Sequence, residues 1–291
     1  MTSITLTAPA KVNLFLKILN KRKDGYHNIS TLFERISLAD TITITKRPSG
    51  ITVSSDKFIT RNPKDNLVYK AAELILKHAR VKSGVRIYIK KNIPIAAGLG
   101  GGSSDAASVL MGLNSLFRLK LKEGELAALG KKLGADVPFF LLQTPFAIGR
   151  EKGDVLSKIN CKARLWHLII YPGFKLSTKD IYEAFDLLTI KMRDVKIPRS
   201  LNGTYDYNSL ERMLYNDLEH IAIAKKMVLG RIVERLASYL GRKAIVSGSG
   251  PSVFCLCRTR KEAMAAKREL FRKTPAGERK SWQVLIAGTK I

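Results

Sequence analysis

Residues 94–107 read PIAAGLGGGSSDAA, and this stretch decides the fold. A strand-like run at residues 85–89 precedes it, and apolar residues at helical spacing follow as far as Phe117. Its four glycines within five residues permit positive φ and a close approach of the backbone to a ligand. Free N–H groups at a helix start bind anions, and two serines add hydroxyl donors. The stretch therefore predicts a strand, a phosphate-binding loop and a helix.

A flexible glycine loop that merely ends the strand is the alternative interpretation. The two serines and the immediate helix disfavour it, because a motif gains weight from its structural context. The loop is not a Walker A motif, since no Lys follows its last glycine. It also differs from the dinucleotide-binding pattern, which spaces its glycines differently within a parallel βαβ unit.

The pattern Pro-x-x-x-Gly-Leu-Gly-Gly-Gly-Ser-Ser resembles the phosphate loop of the GHMP kinases, which include galactokinase, homoserine kinase and mevalonate kinase. The resemblance implies an α+β fold with two lobes and an active site in the cleft between them. Residues 1–155 would form the N-terminal lobe and residues 156–291 the C-terminal lobe. ATP would bind the loop, whose residues are Pro94, Ile95, Ala96, Ala97, Gly98, Leu99, Gly100, Gly101, Gly102, Ser103 and Ser104.

Length and composition agree with a cytoplasmic protein of one large or two closely packed domains. The chain has 291 residues, of which 45% are apolar, and no apolar run is long enough to span a membrane. The N-terminus does not follow the pattern of a signal peptide. The odd count of three cysteines predicts reduced thiols, as in a cytosol. We expect a monomer or a weak homodimer.

The formal net charge of +27 allows two interpretations. A basic RNA-binding protein that keeps the fold without catalysis is one, because basic patches neutralise phosphate backbones. An enzyme with anionic substrates is the other. The basic residues are scattered in short groups without interleaved aromatic residues, which favours the enzyme and predicts no nucleic-acid partner.

Two polar side chains lie at the start of an apolar strand. Residues 3–19 predict two strands around Ala8-Pro9-Ala10, the second apolar on both faces. Lys11 and Asn13 project from the same face of a strand. They are either solvated at the strand end or turned toward a polar partner. Residues 8–14 resemble the family's opening motif, which implies that Lys11 and Asn13 line the acceptor site.

Asp24-Gly25 is a hairpin signal, and Tyr26 and His27 follow it. Asp-Gly-Tyr-His resembles the signature of GHMP kinases that phosphorylate the 2-hydroxyl of diphosphocytidyl methylerythritol. The resemblance implies that Tyr26 and His27 contact the cytosine, since rings stack on bases and imidazoles bond their edges. A family member acting on another alcohol is the alternative, and this signature disfavours it.

Asp136 has a structural and a catalytic interpretation. Locally it is a helix N-cap, with Pro138 in the first turn. Residues 134–140, GADVPFF, also resemble the family motif that contains the candidate catalytic base, and both roles are compatible. The resemblance implies that Asp136 takes the hydroxyl proton, while Lys11 helps to place the hydroxyl and keeps Asp136 ionised.

Mg²⁺ is expected as a cofactor together with ATP. The resemblance implies that Ser104 lies near the metal and near the β- and γ-phosphates. We predict no metal-ligating residue, because magnesium is often held by phosphate and water.

The second half of the chain adds weaker signals. Thr178 and Tyr182 are implied substrate contacts, with Tyr182 as a second stacking ring, although Ser177 or Thr178 also suits a helix N-cap. Residues 191–208 predict a surface loop. Residues 244–254 hold a Ser-Gly-Ser-Gly turn, either a plain hairpin or the family's glycine-rich segment beside the phosphate loop.

Overall fold

The computed structural model describes residues 2–187 and 205–291. Within these ranges the strands are β1 (Ser3–Lys21), β2 (His27–Arg47), β3 (Ile51–Ser55), β4 (Gly84–Lys90), β5 (Phe146–Arg150), β6 (Val155–Lys158), β7 (Trp166–Tyr171), β8 (Tyr215–Asn216), β9 (Ala244–Val246), β10 (Val253–Cys257) and β11 (Gln283–Gly288). The α-helices are α1 (Leu67–His78), α2 (Gly101–Leu116), α3 (Glu123–Leu133), α4 (Val137–Leu141), α5 (Thr178–Asp186), α6 (Tyr207–Met213), α7 (Glu219–Lys225), α8 (Val228–Leu240) and α9 (Arg260–Lys273). No helix in these ranges is long and apolar enough to cross a membrane.

The first sheet carries the phosphate-loop unit. Its strand order is β3-β4-β2-β1-β8, with β5 paired to β2 and β6 paired to β5. One apolar core joins this sheet to α1, α2, α3 and α4. The two strands predicted around Ala8-Pro9-Ala10 are one continuous strand, so the predicted break was wrong. The pairing of β1 with β2 instead shifts register between Pro9 and Lys11, because Pro has no N–H to give to the ladder.

The second sheet is antiparallel, in the order β11-β7-β10-β9. It shares an apolar core with α5, α7, α8 and α9. The predicted division between residues 155 and 156 falls inside β6, which belongs to the first sheet. Moreover, β8 returns from the second half of the chain to pair with β1 at Phe15 and Leu16. The two lobes are therefore joined through a shared strand ladder as well as through packing.

The surface loop predicted for residues 191–208 lies largely outside the described residues. Of this segment, residues 205–208 are described, and Tyr207 already begins α6. Asp206 caps that helix, because its side chain accepts a hydrogen bond from the backbone N–H of Ser209. The loop prediction was thus wrong for Tyr207 and Asn208, where the capping aspartate starts a helix.

A buried hydrogen bond between His167 and Glu34 connects the two sheets. His167 of β7 places Nε2 3.0 Å from Oε2 of Glu34 in β2, and both side chains are fully buried. Thr289 donates from Oγ1 to the other carboxylate oxygen of Glu34 at 2.7 Å. The second ring nitrogen of His167 lies 3.3 Å from the carbonyl oxygen of Ala287. The pair therefore fixes one lobe against the other behind the cleft.

His167→Ala is expected to lower the free energy of unfolding by about 3–5 kcal/mol, because Glu34 would stay buried without its partner. Urea unfolding followed by circular dichroism measures this change. The double variant Glu34→Leu/His167→Leu removes both polar groups and is expected to recover most of the loss. A change below about 1 kcal/mol for His167→Ala would contradict the assigned role of the pair.

Candidate active site

A cavity of about 1040 Å³ lies in the cleft between the two lobes. Of the residues predicted for the site, the cavity is lined by Lys11, Asn13, Tyr26, His27, Pro94, Ile95, Ala96, Ala97, Gly98, Gly100, Gly101, Gly102, Ser103, Asp136, Thr178 and Tyr182. Leu99 and Ser104 do not line it, because both are buried behind the loop. The carbonyl of Leu99 instead accepts a hydrogen bond from the backbone N–H of Lys11 at 3.0 Å.

Backbone geometry explains the glycines of the phosphate loop. Gly98 and Gly100 have φ of +76° and +69°, the left-handed region that favours glycine. A Cβ on Gly98 would lie 2.5 Å from the carbonyl oxygen of Ser247 and 2.6 Å from that of Gly250. Ser247 also donates from Oγ to the carbonyl of Gly98 at 3.1 Å. The turn between β9 and β10 therefore packs directly on the loop, as its resemblance implied.

The loop ends where α2 begins, at an αL N-cap formed by Gly100. The free N–H groups of the first turn of this sixteen-residue helix make an anion site. Ser104 is buried there, and its Oγ has no hydrogen-bond partner in the described part of the chain. The end of α2 thus combines backbone donors with an unpaired hydroxyl.

A buried charge cluster, which sequence reasoning missed, supports the same helix end. Lys91 donates from Nζ to the carboxylates of Asp40 and Asp105, the second at 2.7 Å. Asp40 also accepts from the backbone N–H groups of Asn92 and Ile93, at 2.6 and 2.8 Å. Because Lys91 directly follows β4 and Asp105 belongs to α2, the cluster fixes the start of α2 relative to β4. Lys91 and Asp105 also line the cavity beside the phosphate loop.

Burial raises the pKa of Asp105 to about 7, although Lys91 opposes this shift. Unfolded Asp titrates near 3.9, so the folded chain holds the extra proton between about pH 4 and 7. This carboxyl's contribution to stability is therefore complete below about pH 4 and is lost as the pH rises through 7. The decline amounts to at most about 1.4 kcal/mol per pH unit, and Asp105→Asn should remove it in urea unfolding measured between about pH 4 and 7. Parallel curves for the variant and the wild type would refute the assignment.

Lys11, Asn13 and Asp136 form the polar centre of the cleft. Lys11 donates from Nζ to Oδ1 of Asn13 at 2.6 Å, and the same nitrogen lies 3.3 Å from Oδ2 of Asp136. Asn13 is held in turn by Thr31, whose Oγ1 accepts from Nδ2 at 2.7 Å. The prediction that Lys11 and Asn13 share one face is confirmed, and the alternative of a solvated strand end is excluded, since both are buried.

Asp136 stands at the N-cap position of α4, but its side chain makes no capping hydrogen bond. The predicted position of Asp136 at the helix start is confirmed, as is Pro138 in the first turn, but the predicted capping hydrogen bond is absent. The backbone of Asp136 is helical, with φ −81° and ψ −17°, unlike the extended geometry of a capping residue. Its carboxylate is thus left free to face Lys11 and the cavity.

Aromatic side chains surround the other end of the cavity. Tyr26 is 59% exposed, with Nζ of Lys152 4.9 Å from its ring centroid. The rings of His27 and Tyr182 lie 5.2 Å apart. Burial, with a smaller contribution from Asp136, raises the pKa of Tyr182, so its hydroxyl stays protonated. Thr178 starts α5, and its Oγ1 lies 2.9 Å from Oγ of Ser249. Of the two predicted N-cap candidates for this helix, Ser177 is the cap, because its side chain accepts a hydrogen bond from the backbone N–H of Asp180.

Sequence reasoning also missed two other groups at the cavity. Asp186 contacts His27 through its carboxylate. Its position four residues after Tyr182 on α5 could have placed it on the cavity face of the helix, but not beside His27. The segment before α1 and the first residue of that helix contribute further lining residues, namely Ile59, Thr60, Asp65, Asn66 and Leu67. Asn66 caps α1, because its side chain accepts a hydrogen bond from the backbone N–H of Val68.

Comparison with known proteins identifies the family. The model described as GHMP kinases N terminal domain matches residues 66–144, and the one described as GHMP kinases C terminal matches residues 204–276. Full-length relatives at about 40% identity match as well. The chain therefore belongs to the GHMP kinase family, whose members use ATP. The predicted family and the predicted α+β, two-lobed fold are confirmed.

Within that family, two relatives that cover nearly the whole chain carry the same name. The 4-diphosphocytidyl-2-C-methyl-D-erythritol kinase of Syntrophus aciditrophicus (strain SB) is 41% identical over 272 residues, 92% of this chain and 94% of the relative. The enzyme of that name from Pelobacter propionicus is 40% identical over 99% of this chain and 100% of the relative. A crystal structure of 4-(cytidine 5'-diphospho)-2C-methyl-D-erythritol kinase matches with a TM-score of 0.76 and 33% identity, over 99% of this chain and 100% of that one.

The fold is shared more widely than the substrate. Homoserine kinase from Cytophaga hutchinsonii superposes with a TM-score of 0.75 at 18% identity, over 100% of this chain and 95% of that one. At that identity the likeness concerns the fold alone. Substrate choice in this chain must therefore be argued from the residues that line its own cavity.

Proposed function

We propose that this chain is an ATP-dependent kinase that phosphorylates the 2-hydroxyl of 4-diphosphocytidyl-2-C-methyl-D-erythritol. One observation carries the proposal. A single cavity is lined by a phosphate loop, by the Lys11–Asp136 pair and by the aromatic pair His27 and Tyr182. These are the three parts that a kinase for a nucleotide-linked alcohol needs, and relatives of that name share about 40% of the sequence.

The phosphate loop supplies the electrostatic part of phosphoryl transfer. Its backbone N–H groups, held by the left-handed glycines, would bind the ATP phosphates at the start of α2. Preorganised donors of this kind stabilise charge on the transferred group and on the leaving ADP without reorganisation. We assign this role to residues 94–104, with Leu99 and Ser104 acting from behind the loop.

Mg²⁺ fits this end of the cavity as a companion of ATP. Ser104 carries an unpaired buried hydroxyl, and one oxygen of the neighbouring Asp105 is also buried without a partner. No cluster of three His, Cys, Asp or Glu side chains that could hold a metal occurs in the described ranges. We therefore assign most of the metal ligands to phosphate and water, with Ser104 nearest. The ion would neutralise charge on the β- and γ-phosphates.

Asp136 and Lys11 serve the acceptor hydroxyl. Asp136 would take or orient the hydroxyl proton as the oxygen attacks the γ-phosphorus, a role that general bases fill within hydrogen-bond reach. Lys11 lies 3.3 Å from this carboxylate and is held by Asn13. Its ammonium group would help to hold the Asp136 carboxylate and to place the hydroxyl.

The aromatic end would hold the cytosine. Tyr26 and Tyr182 offer faces for stacking, and His27 offers a polar edge for hydrogen bonding. Thr178 and Asn13 also line the cavity as candidate contacts of the acceptor. The high positive charge suits two anionic substrates, ATP and a diphosphate.

We also infer a cytoplasmic enzyme that is a monomer or a weak homodimer without a nucleic-acid partner. The described part of the chain contains free thiols at Cys161, Cys255 and Cys257, which agrees with a reducing compartment. Size-exclusion chromatography with light scattering tests the oligomeric state. A stable higher oligomer would contradict it.

ADP release by the purified protein with ATP and Mg²⁺ tests the function. The acceptors are the cytidyl substrate, mevalonate, homoserine and galactose. Turnover of the cytidyl substrate alone is the expected result. Turnover of another alcohol would support the assignment as a kinase but contradict the proposed acceptor substrate. ATP binding with no turnover, together with steeply salt-dependent binding of RNA on filters, would favour a non-catalytic RNA-binding protein instead.

A further inference from the structure

Helix α5 of the second lobe holds His27 of the first lobe through three side chains. Oδ1 of Asp186 lies 2.6 Å from Nε2 of His27. The Tyr182 ring lies 5.2 Å from the imidazole, and the Phe185 ring meets it edge-on at 6.2 Å. His27 is 159 residues away from Asp186 in sequence and begins β2. The position of this ring in the cavity is therefore set by the opposite lobe.

Asp186 is ionised in this arrangement. Burial opposes ionisation, but hydrogen bonds from Lys21 and His27 outweigh it and lower the pKa of Asp186. Lys21 donates from Nζ to Oδ2 at 2.6 Å, so each carboxylate oxygen has its own donor. An ionised carboxylate accepts hydrogen bonds and cannot donate them. The proton between Asp186 and His27 therefore belongs to Nε2 of the imidazole.

In the neutral ring, a proton on Nε2 decides what the other ring nitrogen can do. In the neutral imidazole Nδ1 then carries a lone pair and accepts hydrogen bonds. Within the described ranges, the hydrogen bonds of this ring involve Nε2 alone, and His27 lines the cavity. The 4-amino group of cytosine is a donor, whereas a uracil ring has a carbonyl oxygen at this position. An accepting Nδ1 that meets the base would thus favour cytosine over uracil.

We propose that Asp186 is a positioning residue for base selection, which holds the His27 ring in place with its proton on Nε2 and so presents Nδ1 as an acceptor for a 4-amino pyrimidine. The proposal rests on the proposed function, because it assumes that His27 meets the base. The base would thus be bound by His27 of the first lobe, with Asp186 of the second lobe holding that ring. Asp186 acts through His27 and does not contact the reacting atoms.

Asp186→Ala tests the proposal through steady-state kinetics with the cytidyl substrate and its uridine analogue. The variant is expected to raise KM for the cytidyl substrate about tenfold or more, the loss that follows from one hydrogen bond to a charged group. The kcat and the KM for ATP should stay within threefold of wild type. The ratio of kcat/KM for cytidyl over uridyl substrate should fall about tenfold. A merely structural contact would leave that ratio unchanged.

Two further variants sharpen the test. Asp186→Asn keeps the size of the side chain but offers an amide N–H that can donate to Nε2, so it should lower the ratio as Asp186→Ala does. Glu269→Gln breaks an exposed ion pair on α9 and should change nothing. Thermal unfolding shows that each variant is folded.

The outcomes separate the two proposals. An unchanged ratio in Asp186→Ala, or a wild-type ratio in Asp186→Asn, would overturn the role of Asp186 while wild-type turnover upholds the function. A wild-type protein that turns over another alcohol and not the cytidyl substrate would overturn both.

Discussion

Replacing Asp136 by Asn is expected to lower kcat by about 10²–10⁴-fold, with the KM for ATP within about threefold of wild type. The factor is the usual contribution of a positioned general base. The amide keeps the size of the carboxylate and loses its ability to take a proton. The carboxylate lies against Lys11 and the cavity, whereas the phosphate loop lies on a separate element, so ATP binding should persist. Single-turnover kinetics and equilibrium binding of ATP measure the two quantities.

Asp206 provides the matched control for a purely structural role of Asp136. It also stands at the N-cap position of a helix, and its side chain does accept from the backbone N–H of Ser209. Because Asn caps helices about as well as Asp, Asp206→Asn should leave kcat and stability nearly unchanged. If Asp136 were only a cap, the two variants would behave alike. Turnover by Asp136→Asn within tenfold of wild type would rule out the catalytic assignment.

The local parts of this site could be predicted because short-range rules fix them. The spacing of Lys11 and Asn13 along a strand dictates a common face, and the glycines of residues 94–104 dictate a tight loop at a helix start. The resemblance to a known family then supplied their chemistry. Asp136 illustrates the limit of local rules, because its position at a helix start predicts capping, whereas its carboxylate faces a lysine from another element.

The missed groups depend on contacts that the sequence does not bring together. Lys91 meets Asp40, which is 51 residues away, across neighbouring strands, and Asp186 meets His27 across the cleft. Such pairings follow from the docking of lobes and sheets, for which neither periodicity nor composition carries a signal. The two-residue strand β8 is a similar case, because only its pairing with β1 makes it a strand.

Gly98→Ala is expected to raise the KM for ATP by about tenfold to a hundredfold and to lower the free energy of unfolding by about 2–5 kcal/mol. A left-handed φ costs an alanine about 1–2 kcal/mol, and overpacking adds about 1–3 kcal/mol. The new methyl would meet carbonyl oxygens of Ser247 and Gly250, at 2.5 and 2.6 Å. These are backbone atoms of the packed turn, so the loop itself must move. A shift of about 1 Å in a positioning element is enough to cost two orders of magnitude.

Gly124 supplies a control for the effect of replacing any glycine by alanine. It lies in α3 with an ordinary backbone, and a Cβ there would meet nothing within 4 Å. Gly124→Ala should therefore leave the KM for ATP unchanged and stabilise the protein by up to about 1 kcal/mol, through the lower entropy of its unfolded chain. Urea unfolding and ATP titration of both variants decide the matter. If Gly98→Ala matched Gly124→Ala in both measurements, the close packing of the β9–β10 turn on the phosphate loop would not be what shapes the ATP site.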